Sequence, residues 1–483
     1  VSFQRMPAVG VPIERNPVST TQHAGAATLP RAPRRGLGLA LIAAAQFVVI
    51  MDTSIIGVAL SDIARDVGFA QEALSWVFNA YVIAFGGLLL LGGRLSDLFG
   101  VRRMFTIGWA VLLAGSLAAG LAGDAGVEIA ARAVQGAGAA LIAPAALTLL
   151  MTLFGGTPQL PRAFAVYGAA APIGGTAGVF LGGLLTEYLG WPWVFYITVP
   201  IAIAILALTP IAFPRGARAT GRVDLLGAIA GTAGLALVVY GVVRAPEIGW
   251  MSIEATGSLG AGILLLGLFV ARQARAAEPL LRLGMMRLPQ LAGANIAQLL
   301  LGASWIPMWF FLNLYLQNVL GASAFAAGAA LVPMTVLIVI GMTLVAPRLS
   351  ARLSTRTMVA SGFVLLGVGV GWLALAPADG VYAAHVLPAS LVAASGMALA
   401  FVPSLSTAIA SAPPEEAGVA SGLVNTSYQI GSAVGLAVLT AVSAGASVDG
   451  GDAAGYSAAF VGAAVIAAVG LLAAVLGLRA RRG

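Results

Sequence analysis

Residues 37–60 read LGLALIAAAQFVVIMDTSIIGVAL, a run of apolar and small side chains interrupted by one acid, Asp52. About 20 such residues are what a helix needs to cross hydrocarbon. A carboxylate near the centre of that helix costs about 2.5–3.5 kcal/mol to insert, so intramembrane acids are kept where they have a task. By hydropathy, Asp52 is the only Asp or Glu set well inside a span. A second stretch, Gly92-Gly93-Arg94-Leu95-Ser96-Asp97-Leu98-Phe99-Gly100-Val101-Arg102-Arg103, reads as a charged loop between two apolar runs. These two stretches point to an all-α protein that crosses a membrane many times.

Composition agrees. Of 483 residues, 60% are hydrophobic and 9% charged, whereas soluble domains carry roughly 25% charged residues. That length has room for about a dozen helices or more. A net charge of +7 would suggest nucleic acid in a soluble protein, but the Arg residues lie elsewhere, as shown below, and no nucleic-acid partner is expected. There is no Cys, and His23 and His385 are the only imidazoles, far apart in sequence. Disulfides and thiolate metal sites are excluded, and a catalytic or metal centre would have to use carboxylates alone. No enzyme activity, metal or other cofactor is expected. All basic residues are Arg, which fits a GC-rich coding sequence and a bacterial source. Residues 1–36 are polar and rich in Pro and Thr, and read as a disordered cytoplasmic tail. Arg34 and Arg35 before an apolar run imitate a signal peptide, but that run is too long and holds Asp52, so it reads as an uncleaved span.

Further apolar runs fall at 74–93, 104–122, 127–154, 162–187, 192–213, 223–243, 253–272, 290–313, 324–346, 356–376, 383–411, 417–443 and 455–478, which makes fourteen spans. The loops test the count. Alternated between two sides, they place every Arg on one side except Arg65, Arg132 and Arg244, while most acids fall on the other. By the positive-inside rule both termini are then cytoplasmic. The segment Pro347–Arg356 echoes Arg94–Arg103, each following the second helix of a six-helix half. Setting aside spans seven and eight leaves six plus six, the pattern of two repeated bundles around a midplane site. The organisation expected is a tail (1–36), a six-helix bundle (37–213), two additional helices (214–289) and a second six-helix bundle (290–483).

Four motifs add a family resemblance. They are Met51–Leu60 in span one, the Gly92–Arg103 stretch, Arg132-Ala133-Val134-Gln135-Gly136-Ala137-Gly138-Ala139-Ala140 in span four, and Gly174-Gly175-Thr176-Ala177-Gly178-Val179-Phe180-Leu181-Gly182-Gly183 in span five. In this order, together with Gly418–Thr426 at the entry of span thirteen, they resemble the fourteen-span drug:proton antiporter branch of the major facilitator superfamily. The resemblance covers nearly the whole chain after residue 36. It implies two six-helix bundles plus two extra central helices, and proton-coupled export of drug-like molecules. Val179 stands where that branch has Pro, and Pro192 where it often has Arg, which keeps another direction of transport in play.

The residues carry physical readings of their own. Gly174, Gly178 and Gly182, with Gly183 beside them, share a helix face and let another backbone approach closely. Asp97 sits among Arg94, Arg102 and Arg103, with Gly93 and Gly100 flanking. It is expected to latch one gate state by capping a helix N-terminus, the alternative being a plain topology signal. Asp52 is placed about 8 residues, roughly 12 Å, below the outer end of its span, and Arg132 about 5 residues, roughly 8 Å. Asn79 falls at a similar depth, so the three are expected to form a polar network that takes up the coupling proton. Alternatively Arg132 snorkels to the surface. Asn295, Gln298, Trp305, Trp309 and Asn313 in span nine, with Asn425 and Gln429 in span thirteen, form either a cavity wall or an interfacial aromatic belt.

The leading expectation is a proton-coupled exporter of lipophilic or amphipathic small molecules in the cytoplasmic membrane, with protons and membrane lipid as its other partners. With one intramembrane acid, neutral or monocationic substrates are favoured over dications, because a second buried cation would lack a counter-ion. A proton-coupled importer or lipid translocator on the same fold is the first rival, and a membrane-embedded enzyme or sensor the second.

Overall fold

In a bilayer core every backbone N–H and C=O must be paired within the protein, so long apolar runs become helices. The computed structural model describes residues 35–69, 76–214, 224–276, 279, 283–413 and 416–478. The expected disordered tail, most of the 214–223 linker and the basic C-terminal tip lie outside the described residues. Among those described, thirteen helices are long and apolar enough to cross a membrane, and α7 makes the fourteenth. In chain order they are α1 (Arg35–Ser54), α2 (Trp76–Phe99), α3 (Val101–Gly120), α4 (Ala125–Phe154), α5 (Leu160–Leu189), α6 (Trp193–Ala212), α7 (Leu225–Ile248), α8 (Ile253–Gln273), α9 (Gln290–Val319), α10 (Phe325–Ser350), α11 (Thr355–Leu373), α12 (Tyr382–Ala410), α13 (Ala417–Ser447) and α14 (Gly451–Gly477). No strand occurs among the described residues.

Caps and glycines set the boundaries. Asp124, Asp224, Ser252, Ser323 and Ser354 each accept a hydrogen bond from the backbone N–H three residues on, starting α4, α7, α8, α10 and α11. Two expectations are corrected here. The Gly92–Arg103 stretch is not a loop: α2 runs to Phe99 and α3 starts at Val101, with Gly100 alone between them at φ +95°. Only glycine turns a chain there without strain, which is why so short a link suffices. The first run does not end at residue 60 either. A second helical segment, Ile56–Val67, continues α1, and the Ile55 N–H still donates to the Met51 carbonyl (2.8 Å). Asp52 therefore sits near the middle of this combined helix, deeper than the apolar run alone implies.

Glycine seams hold each bundle together, and the seams repeat. A Cβ on Gly108 would strike the Gly138 carbonyl at 2.9 Å, and one on Gly362 would strike the Gly396 carbonyl at 2.8 Å. Gly108 on α3 and Gly362 on α11 lie at the same offset from their helix starts, as do Gly115 and Gly369. Likewise Gly174, Gly178 and Gly182 on α5 pack under the carbonyls of Phe47, Met51 and Ile55 on α1. In the second bundle, Gly431 and Gly435 on α13 pack under Leu299 and Ala303 on α9. The α1/α5 and α3/α4 contacts thus recur as α9/α13 and α11/α12, so one six-helix plan is used twice.

α4 lies at the centre of its bundle, with 78% of its apolar window buried, whereas α8 faces outward with 17%. The pair α7 and α8 is tied at the Arg-rich side by Asp224, which accepts from Arg272 Nε (2.6 Å) and Gln273 Nε2 (3.0 Å). α7 rests on the first bundle, where Gly87 abuts the Thr232 carbonyl and the Trp76 and Tyr240 rings lie 5.3 Å apart.

Candidate functional site

Asp52 and Arg132 are both fully buried, and Arg132 Nη1 donates to Asp52 Oδ2 at 3.0 Å. The same nitrogen donates to Gln135 Oε1 (2.9 Å), one turn along α4, and Arg132 Nε donates to the Val77 carbonyl of α2 (2.9 Å). Gln135 Nε2 completes the ring by donating to Asp52 Oδ1 (3.2 Å) and to Ser116 Oγ of α3 (2.9 Å). Tyr81 lays its ring 4.7 Å from the guanidinium carbon and donates its hydroxyl to the Val49 carbonyl (3.2 Å). Phe195 stands on another side at 5.9 Å. Four helices thus converge on one ion pair. A buried pair is tolerated only when its remaining donors and acceptors are matched, and both Asp52 oxygens are.

Arg132 does not snorkel, because the combined Ile56–Val67 extension, Val77, Trp191 and Phe195 build an apolar plug above it. Asn79 is corrected: it is buried at the expected level, yet its Nδ2 has no hydrogen-bond partner among the described residues. Depth alone does not fix direction around a helix, and α2 meets Arg132 through the Val77 carbonyl instead. Gln135 takes the place given to Asn79. Its signal was in the sequence, three residues from Arg132 and so on the same helix face.

A second acid was missed. Glu128, one turn before Arg132 on α4, is fully buried, and neither carboxylate oxygen has a hydrogen-bond partner among the described residues. Hydropathy starts the span at 127 and leaves Glu128 at its edge, but the Asp124 cap begins the helix earlier and sets Glu128 a turn inside it. Asp52 is therefore not the only acid buried in the bundle.

The α1–α5 seam lies directly against this site. A Cβ on Gly178 would meet the Met51 carbonyl at 2.9 Å and the Ser54 Cβ at 2.9 Å, whereas Gly57 has open space around it. Gly183, beside the seam, is half-buried. Gly178→Leu is therefore expected to lower the yield of folded protein and disable transport, with Gly57→Ala close to wild type. Overpacking of this kind costs about 1–3 kcal/mol. Detergent melting temperatures of the two variants check it, and a Gly178→Leu protein melting with the wild type would remove the seam's role.

Beyond the seam, α5 reaches the second bundle. The Thr176 and Thr335 hydroxyls are 2.5 Å apart, and Phe180 stacks 5.3 Å from Phe325. At the Arg-rich side, Asp97 Oδ1 accepts from the Gly418 N–H (3.0 Å) and Oδ2 from the Val419 N–H (3.2 Å), at the first turn of α13. Anions are favoured at a helix N-terminus, where N–H groups are free and the dipole is positive. Glycines make the approach possible: a Cβ on Gly93 would collide with the Gly418 carbonyl, and one on Gly422 would meet the Leu89 carbonyl at 2.8 Å. Arg102 donates to the Phe213 carbonyl (3.1 Å), Arg103 is exposed, and Arg94 Nε has no partner among the described residues.

The span-nine and span-thirteen set is divided. Asn295 accepts from Ser427 Oγ (3.0 Å), and Gln298 donates to the Phe401 carbonyl and Ser404 Oγ (both 2.9 Å). These two amides tie α9 to α13 and α12. Trp305 is buried in the core, and Asn313 accepts from Gln317 one turn on (3.1 Å). Asn425 donates to the Ser421 carbonyl (2.9 Å), and Gln429 is half-buried. Trp309 reaches toward the other bundle, 4.0 Å from a Cβ placed on Gly175. None of this set lines the cleft of about 220 Å³ that opens at the Arg-rich side between α5 (Pro161, Phe164), α10 (Pro347) and α12 (Pro403, Thr407). Ligand pockets commonly exceed about 300 Å³, so a drug-sized molecule does not fit there in this conformation.

Residues 42–436 match the family model of the Major Facilitator Superfamily. The chain is 43% identical over 453 residues to the cephamycin export protein CmcT of Amycolatopsis lactamdurans, covering 92% of this chain and 93% of that one. It is 38% identical over 417 residues to the puromycin resistance protein pur8 of Streptomyces alboniger, covering 86% and 83%. Among solved structures, the proton:xylose symporter XylE superposes with a TM-score of 0.65 at 14% identity, covering 91% of this chain and 94% of that one. The human organic anion transporter MFSD10 does so at 0.63 and 15%, covering 92% and 100%. These two likenesses concern the fold alone.

Proposed function

The chain belongs to the major facilitator superfamily, and from that premise we propose that it exports amphipathic small molecules of the antibiotic type from a bacterial cytoplasm in exchange for protons. The observation that carries the reading is the sealed Asp52–Arg132 pair, a buried carboxylate whose partner sits on a different helix. Desolvation disfavours a charged carboxylate and a nearby guanidinium favours it, so a proton arriving at such a pair exchanges one partner for another. The relatives that export cephamycin and resist puromycin support the substrate class and the outward direction. The Arg-rich side is taken as cytoplasmic, with both termini there.

The two bundles rock about the site. In this conformation the cytoplasmic ends are drawn together by Asp97 of α2, which caps the first turn of α13, and by the Gly93–Gly418 contact. Protonation at Asp52 frees Arg132 Nη1, and the change reaches the second bundle through the rigid α1–α5 seam and the Thr176–Thr335 contact. Loading substrate from the cytoplasm requires the Asp97 latch to open.

Asp97→Asn keeps an acceptor but loses the charge, and charge-assisted hydrogen bonds contribute about 1.5–3 kcal/mol each. The variant is expected to bind substrate in detergent while its transport falls several-fold, since the cytoplasm-closed state loses population. Unchanged transport would reduce the segment to a topology signal. For the function as a whole, expression in a drug-sensitive bacterium is expected to raise the inhibitory concentration of puromycin or a cephamycin. An unchanged profile with a growth gain on one nutrient would favour an importer.

A further inference from the structure

Glu128 has no role in the exchange as described, yet its burial needs an explanation. A carboxylate out of contact with water and without a hydrogen-bond donor is far costlier than a neutral carboxyl in the same place. The charged groups whose fields reach Glu128 are Arg132, one turn along α4, and Asp52 on α1. At this end of the bundle Val77, Ala119, Ala131, Trp191 and Phe195 form an apolar cluster. The site therefore holds two carboxyl groups and one guanidinium, all three fully buried. Two ionised carboxylates would leave it net negative, and two protonated ones would leave the guanidinium unbalanced. Only the state with one proton is neutral, and buried charge is tolerated when it is matched.

We propose that Glu128 and Asp52 share a single proton, with Arg132 pairing whichever carboxylate is ionised, and that Glu128 is the station by which the proton enters from the outer face. In this structure Asp52 holds Arg132 Nη1 and Gln135, so the proton rests on Glu128, whose oxygens face no donor. Arg132 Nη2 also lacks a partner among the described residues, which leaves a donor available when the pairing changes. In the exchange a proton leaves the Glu128 carboxyl and an Asp52 oxygen gains one. Glu128 becomes the carboxylate, and Arg132 turns from Asp52 to Glu128. No charge is created in the buried site at either end of the step. Glu128 lies in the first turn of α4, about 6 Å nearer the outer face than Arg132, so it meets outside water first. The sharing also leaves no surplus negative charge for a doubly charged substrate, so the preference against dications survives the second acid.

The inference rests on the proton-coupled reading, and two measurements separate their failures. Infrared spectra of the purified full-length chain in lipid at neutral pH report protonated carboxyl groups by their C=O stretch. The wild type is expected to show one such band that both Glu128→Gln and Asp52→Asn lose, because the carboxyl left behind must ionise to balance Arg132. A Glu128→Gln spectrum identical to wild type, or a band that persists in Asp52→Asn, overturns the sharing. In inside-out vesicles, whose lumen corresponds to the outer face, puromycin accumulation by Glu128→Gln is expected to lose its dependence on lumenal pH and to slow about tenfold, with puromycin counterflow retained. If Asp52→Asn is inert and Glu128→Gln keeps the wild-type lumenal-pH dependence, this inference fails and the coupling reading stands. If Asp52→Asn itself still accumulates puromycin, the coupling reading fails.

Discussion

Asp52→Asn is expected to abolish uphill accumulation of substrate in energised inside-out vesicles while leaving downhill exchange partly intact. Asn has nearly the shape of Asp, so the α1–α5 glycine seam and the bundle packing are not disturbed. It cannot take up and release a proton in the working range, so the cycle loses its driving reaction. The energetics place the whole burden on this step. One proton moving down about 100 mV releases roughly 2.3 kcal/mol, and each pH unit adds about 1.4 kcal/mol. Together these sustain a substrate gradient of several hundredfold, which is expected to collapse toward unity in the variant. Ratios of lumenal to external puromycin after energisation give the reading, and a ratio near wild type would remove Asp52 from the mechanism.

Arg132→Ala is expected to be the most destabilising single substitution in the first bundle. It removes the cation that faces Asp52, takes the Nε donor from the Val77 carbonyl, and strips Tyr81 and Phe195 of the charge they face. Breaking a buried pair by deleting one partner costs about 3–5 kcal/mol, because the other charge stays buried. Arg132→Lys keeps the charge but not the fork that reaches Val77, Asp52 and Gln135 together, so it should fall between the two. Unfolding midpoints in detergent should rank wild type above Arg132→Lys above Arg132→Ala, with transport lost in the last. An Arg132→Ala protein as stable as wild type would mean that water already solvates the site.

Hydropathy made the spans legible, since a helix must be apolar over its whole crossing and the Arg partition tests the count independently. It located Asp52 and Arg132 at matching depth for the same reason. Depth says nothing about direction around a helix, which is how Asn79 was brought into the site and Gln135 left out. Hydropathy also starts span four at residue 127, which puts Glu128 at the very edge of the run, where an acid passes for an end residue. The Asp124 cap marks the true start of α4, and read as a cap it would have set Glu128 a full turn inside the helix. The amides of α9 were legible as unusual but not as ties, because Asn295 and Gln298 find their partners on α13 and α12, more than a hundred residues away. Gly93 and Gly422 look like ordinary small residues in the chain. Only the approach of α2 to α13 explains why neither position holds a Cβ.

The most direct test of Asp52 as the coupling site follows protons rather than substrate. Proteoliposomes loaded with puromycin, with no membrane potential and equal pH on both sides, are diluted into puromycin-free buffer containing an impermeant pH indicator. Outflow of drug through the wild type should drive protons in the opposite direction, with a ratio that stays fixed as the drug gradient is varied. Asp52→Asn should pass the drug with no proton movement, and proton flux at the wild-type ratio through that variant would contradict the assignment.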